Sequence, residues 1–116
     1  MLNTSMRRDW RSARRKIEQE GACRVCGTSR GLEVAHVIGR RCDPVMTGPK
    51  GGEYRYVHPD TVVPLCGGSV LNDCHGKYDA RELDLLPYLH LHEQVRAVED
   101  AAGILSALKR ISGGNV

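Results

Sequence analysis

Cysteine spacing limits what this chain can fold into more than any other property. Cys23 and Cys26 stand two residues apart with Gly27 behind them, a tight turn that offers two thiolates to one tetrahedral ion. Cys66 and Cys74 form a second pair with a seven-residue gap, wider than the usual two to four, but Gly67, Gly68 and Ser69 make an insert that can loop out and leave the sulfurs adjacent. The fifth thiol, Cys42, lies between Arg41 and Asp43 with no evident partner in the pattern. No segment approaches the ~20 apolar residues that span a bilayer, and the basic N-terminus has no apolar centre of the signal-peptide kind. The expected setting is therefore the cytoplasm, with no membrane partner. Disulfides are rare there and paired cysteines more often hold metal. The reading is one structural zinc on Cys23, Cys26, Cys66 and Cys74; the plainer alternative is buried free thiols.

Such a staple answers a need. The chain has 116 residues, about the size of one domain, yet no Phe, one Trp, thirteen Gly and five Pro. Aliphatic side chains must fill the core, and a small core of that kind often requires help. Zinc bound by four thiolates contributes ~10–16 kcal/mol of apparent binding energy to folding.

We expect a single domain over 1–116, made of a basic N-terminal helix (1–21), a metal-bearing core (22–80) and C-terminal helices (81–116). Thr4 or Ser5 can cap the first helix, Trp10, Ala13 and Ile17 recur at helical spacing, and Gly21 ends it. Residues 31–38 read as a short strand and Val62, Val63 and Leu65 as a second, with a glycine-rich loop or loose hairpin between. Asn72 or Asp73 can cap a helix from Cys74, which puts His75 and Asp79 one turn apart on one face. Asp84 and Pro87 suit the start of another helix with Leu91, Val95, Val98 and Ala102 on its apolar side; Gly103 interrupts it, and Ile104, Leu105, Leu108 and Ile111 continue before the tail from Ser112 frays.

Charge is unevenly spread. Residues 1–50 hold 11 Lys and Arg against 5 acids, a net +6, while 51–116 hold 6 against 9, a net −3. Asymmetry of this kind suits a polyanion partner for the front half. Arg14 and Arg15 on the first helix and Arg40 and Arg41 after the first strand are the candidates for phosphate contact. The bland reading of the helix, a solvated basic face docked by Trp10 and Ile17, stays open.

His36 near the end of the first strand and His75 beside Cys74 would be drawn together by the cysteine clamp. A histidine on a strand facing a histidine and carboxylate on a helix fits metal-assisted phosphodiester hydrolysis, in which a neutral imidazole takes a proton from water. His58, His90 and His92 are expected at the surface.

The order Cys-x2-Cys, Leu-Glu-Val-Ala-His, Pro-Asp-Thr-Val-Val-Pro-Leu-Cys and Cys-His-Gly-Lys-Tyr-Asp, over about residues 22–80, resembles the HNH endonuclease family. The later stretch Leu-Asp-Leu-Leu-Pro-Tyr-Leu is similar to small HNH proteins of bacteriophages. The resemblance implies an α+β fold with a ββα-metal core stapled by four cysteines. His36 matches the general base, His75 and Asp79 match ligands of a catalytic Mg²⁺ or other divalent ion, and Cys23, Cys26, Cys66 and Cys74 match the structural zinc ligands. The implied partner is DNA, cut to 5′-phosphate and 3′-hydroxyl ends. Phage packaging proteins are a further partner on the alternative reading, a DNA-binding accessory protein that kept the scaffold and lost the activity. The chain departs from the family at Ala35, where a metal-binding Asp or His usually stands, at Thr61 in place of the Asn, and in the Cys66–Cys74 gap. Glu33, Asp43, His58 and Asp60 are the candidates to replace the ligand missing at Ala35.

Overall fold

The computed structural model describes residues 6–113. The architecture is mixed α+β, with five short strands and four α-helices among the described residues. Two apolar runs pair to form the two-stranded sheet that carries the candidate site. Strand β2 (Leu32–His36) lies antiparallel to β5 (Val62–Cys66), with Leu32 opposite Cys66, Ala35 opposite Val63 and His36 opposite Val62. Every residue of β5 is buried, so its near-continuous apolar sequence reflects covering on both faces. Helix α2 (Cys74–Asp79) follows, started by the Asp73 carboxylate, which accepts the Gly76 N–H at 3.1 Å. Its Tyr78 is fully buried and donates its hydroxyl to the Val37 carbonyl at 2.6 Å, fastening the helix beside the exit of β2.

The punctuated segment between these strands forms a hairpin of β3 (Val45–Thr47) and β4 (Glu53–Tyr56). Strand β1 (Arg8–Asp9) adds to it in parallel, giving the order β1-β4-β3. That pairing corrects the expected first helix. Helix α1 runs from Arg11 to Glu20, because residues 7–9 are drawn into the sheet: the Arg7 carbonyl accepts the Arg55 N–H at 2.8 Å and the Asp9 carbonyl the Val57 N–H at 3.1 Å. Trp10 takes the N-cap place without a side-chain bond, and the Asp9 carboxylate before it accepts the Arg11 N–H at 3.1 Å; Thr4 and Ser5, the expected caps, lie outside the described residues. Gly21, at φ 68, ends the helix in the left-handed conformation that glycine adopts without strain.

The C-terminal part also departs from its periodicity. Asp84 accepts the Leu86 N–H, but this starts only a 3-10 turn over Leu86–Tyr88. Helix α3 (Leu91–Asp100) begins later, closed by a reciprocal capping box between His90 and Glu93. Glu93 is wholly buried, paired with Lys16 Nζ at 2.6 Å and the Arg24 guanidinium at 2.7 Å. This pairing turns the helix so that Leu91 and Val95, the expected core residues, are 75% and 53% exposed. Gly103 separates α3 from α4 (Ile104–Ile111), of which Ile111 is buried while Ile104 and Leu105 face out. Ser112 is buried too, so the expected fraying does not begin there.

One buried cluster joins Ala35, Val37, Val63, Leu65, Tyr78, Leu85, Ala97 and Ile111 with three of the cysteines; a second joins Ala13, Ile17, Val57 and Val62 under Trp10. Leu32 packs against both. No helix of the described residues is long and apolar enough to cross a membrane.

Candidate metal centre and adjoining cleft

The four paired cysteines converge. Their Sγ atoms all lie within 4.8 Å of one another, and Cys26 Sγ stands 3.7 Å from Cys66 Sγ. Two thiolates on one tetrahedral zinc, each at ~2.3 Å, are ~3.8 Å apart, so the donor set fits such an ion. Local backbone chemistry makes the geometry. Gly27, at φ 80, lets its N–H reach the Cys23 carbonyl at 3.0 Å, and the Arg24 N–H bonds to the Pro64 carbonyl at 2.8 Å, which fixes this knuckle against β5. The long gap between Cys66 and Cys74 is taken up by turns: Val70 N–H to the Gly67 carbonyl and Asp73 N–H to the Val70 carbonyl. The Cys74 N–H then points at Cys66 Sγ at 3.3 Å. Bonds from the Thr28 backbone and the Asn72 side chain hold the Cys26 thiol down to about 6, whereas burial pushes Cys66 and Cys74 up. A divalent cation is what would turn such dry sulfurs into thiolates.

Beside the cysteines, a cleft of about 300 Å³ is lined by His36, Arg40, His75, Asp79 and Arg110, with Val34, Ile38 and Gly39 as its floor. His75 Nε2 lies 3.6 Å from Asp79 Oδ2, one helical turn on, and His75 Nδ1 meets Glu33 Oε1 at 2.7 Å. Glu33 therefore orients the ring from behind and leaves Nε2 and the Asp79 carboxylate side by side in the cleft, a pairing common where histidine binds metal. The Glu33 carboxylate occupies the space over Gly67 that a Cβ there would need. Ala35 is fully buried opposite Val63 and contributes nothing to the cleft. Of the other candidates to replace it, Asp43 is turned to His36, and His58 and Asp60 line a separate hollow with His92. Among the described residues, only the four cysteines bring three or more ligand atoms together; the cleft offers His75 and Asp79.

His36 is held by a partner the sequence did not reveal. Asp43, 1% exposed, sets its carboxylate oxygens 3.0 and 3.1 Å from His36 Nε2 and also accepts from Arg8 Nε at 3.1 Å. With the Nε2 proton directed at Asp43, the lone pair falls on Nδ1, which has no hydrogen-bond partner among the described residues. The Trp10 ring stands edge-on to the imidazole at 5.6 Å between centroids. Burial lowers the His36 pKa and the Asp43 charge opposes that, leaving it below the ordinary imidazole value and the ring neutral at pH 7. Thr61 anchors the strand end through its backbone, its carbonyl accepting the Val37 N–H at 2.9 Å.

The cationic residues divide. Arg40 sits over Trp10, 5.4 Å from the ring centroid, on the cleft rim. Arg14 is exposed in an adjoining hollow beneath Trp10, and Arg15 is exposed on α1. Arg8, drawn into β1, is spent on Asp43 and Lys16 on Glu93, while Arg11 pairs with Asp9 at the surface, so the basic stripe of α1 is shorter than its sequence suggests. Arg41 points to the far side of Gly39. Arg110 was not anticipated: α4 brings it over the Tyr78 ring at 4.0 Å and within 3.6 Å of Asp79. Its one sequence signal was a place on the polar side of an amphipathic helix, which does not say what that side faces. No protein-family model, curated protein or solved structure matches the chain.

Proposed function

We propose that this chain is a metal-dependent DNA endonuclease of the HNH kind, stapled by zinc on Cys23, Cys26, Cys66 and Cys74. The observation that carries the reading is the single cleft that holds a neutral histidine, a histidine–carboxylate pair and two guanidiniums. A phosphodiester needs those groups: a base for water, ligands for a cation and positive charge around the phosphate. His36 Nδ1 takes the proton as the water oxygen attacks phosphorus and the bond to the 3′ oxygen breaks. Asp43 holds the ring and compensates the imidazolium that forms. His75 Nε2 and Asp79 would hold a divalent ion such as Mg²⁺, which would supply charge stabilisation at the phosphate. An ion of that kind is generally bound through only one or two protein groups, so this pair would be enough to hold it. Arg40 and Arg110 flank the phosphate.

The alternative is a DNA-binding accessory protein with little or no activity, and the buried Ala35 favours it. Nicking of supercoiled plasmid separates the two. The endonuclease reading expects cutting with Mg²⁺, Mn²⁺ or Ni²⁺ and loss of it in His36→Ala; absence of cutting with every metal favours the accessory role.

A further inference from the structure

Beyond Arg110 the cleft opens into a second hollow of about 460 Å³ that shares Ile38, Gly39 and Arg110 with it. Its charged lining is Arg41, Arg81, Lys109 and Arg110 against one acid, Asp100. That acid is committed to Arg96 at 3.1 Å. Arg41, Arg81 and Lys109 are exposed and have no carboxylate partner among the described residues, while Arg110 is shared with Asp79 at 3.6 Å. The cations come from three separate places: the turn after β2, the turn after α2, and α4. Arg81, Lys109 and Arg110 gather here although residues 51–116 are net acidic, at 6 basic against 9 acidic.

The end of α2 fixes the position of Arg81. Arg81 sits at φ 62, a left-handed conformation uncommon for a residue with a side chain. The backbone at Gly113 lies directly against it, since a Cβ there would stand 2.9 Å from the Arg81 carbonyl oxygen. The left-handed conformation of Arg81 ends α2, with the Glu82 N–H bonded back to the Lys77 carbonyl at 2.8 Å. Converging unpaired cations repel one another, and an anion relieves that repulsion.

We propose that this hollow is a phosphate-binding subsite for the DNA strand, taking backbone phosphates next to the one held between His36 and Asp79. The inference rests on reading that cleft as a phosphodiester site. It gives α4 a task in substrate binding: Arg110 forms the wall common to both hollows, and Lys109 and Arg81 carry the strand onward. The exposed Arg14 and Arg40 lie on the other side of the cleft and suit the strand's opposite direction.

The test compares DNA affinity across salt concentrations for the full chain and two double variants, using a labelled duplex of about 20 base pairs without added divalent metal. Omitting chelator keeps the zinc. Arg81→Gln with Lys109→Gln removes two charges from the hollow; Arg30→Gln with Lys50→Gln removes two elsewhere. The first pair should weaken binding roughly tenfold near 0.1 M salt and make the slope of log K against log salt shallower by about 2. The control pair should change each far less. Equal losses in both pairs, or none in the first, overturn the subsite; plasmid nicking by the same proteins tells the two claims apart. Wild-type nicking with an unchanged slope removes the subsite and leaves the nuclease. Selective loss of binding in a chain that never cuts removes the nuclease and leaves the strand path.

Discussion

Replacing Glu93 with glutamine deletes one charge at nearly constant volume, and its surroundings set the penalty. Burial alone would raise this carboxyl, but bonds from Arg24, Lys16 and the His90 N–H more than reverse that, holding it at about 2 against an ordinary 4.5. At 1.36 kcal/mol per pKa unit the lowering corresponds to about 3 kcal/mol. Removing one partner of a buried ion pair costs ~3–5 kcal/mol by direct comparison, because the cations left behind are uncompensated. The two routes agree. Glu93→Gln should therefore lose about 3 kcal/mol in urea unfolding at pH 7 with zinc held in excess. The pH dependence has a definite sign. A carboxyl with a lowered folded pKa stabilises fully above its unfolded value and loses that contribution as pH falls from about 4.5 towards 2. The gap between the wild type and Glu93→Gln should close over the same range, since a protonated Glu93 resembles the glutamine. A loss below about 1 kcal/mol at pH 7, or a gap that ignores pH, would refute the claim that this network joins α1, the cysteine knuckle and α3.

Three other outcomes follow from the proposed function. Cys74→Ser should purify with less than one zinc per chain and lack a cooperative unfolding transition, because ~10–16 kcal/mol of metal binding is folding energy; a folded, metal-free variant would contradict the staple. Asp43→Asn should slow cleavage by about 10- to 100-fold and move the acid limb of the rate profile to lower pH, since Asp43 raises the His36 pKa against its burial; an unmoved limb would remove Asp43 from that role. Gly67→Ala should barely alter stability, because the Glu33 carboxylate can swing away from the new methyl, yet weaken affinity for the divalent ion proposed at His75 by freeing that ring; unchanged metal titration would show that Glu33 does not position it.

Local chemistry was legible in the sequence. The cysteine pairs, the two apolar strands and the Asp73 cap depend on neighbours a few residues apart, and the structure has all of them. What periodicity missed was set by partners far along the chain. Glu93 lies 77 residues from Lys16 and 69 from Arg24, and that pairing overrides the apolar stripe of α3. Arg8 lies 35 residues from Asp43, and its bond helps keep residues 7–9 out of α1. Asp43 is only seven residues from His36, but the turn over Arg40–Cys42 that folds it back carries no signature in the letters. Arg110, 32 residues beyond Tyr78, reaches the cleft through the packing of α4.

Chemical rescue tests the central claim most directly. His36→Ala should nick supercoiled plasmid far more slowly than the wild type with Mg²⁺ present, and added imidazole should restore cutting, increasingly as pH rises through the imidazole pKa, because a cleft of about 300 Å³ can admit the free base. A His36→Ala chain that cuts as fast as the wild type without imidazole would contradict the account.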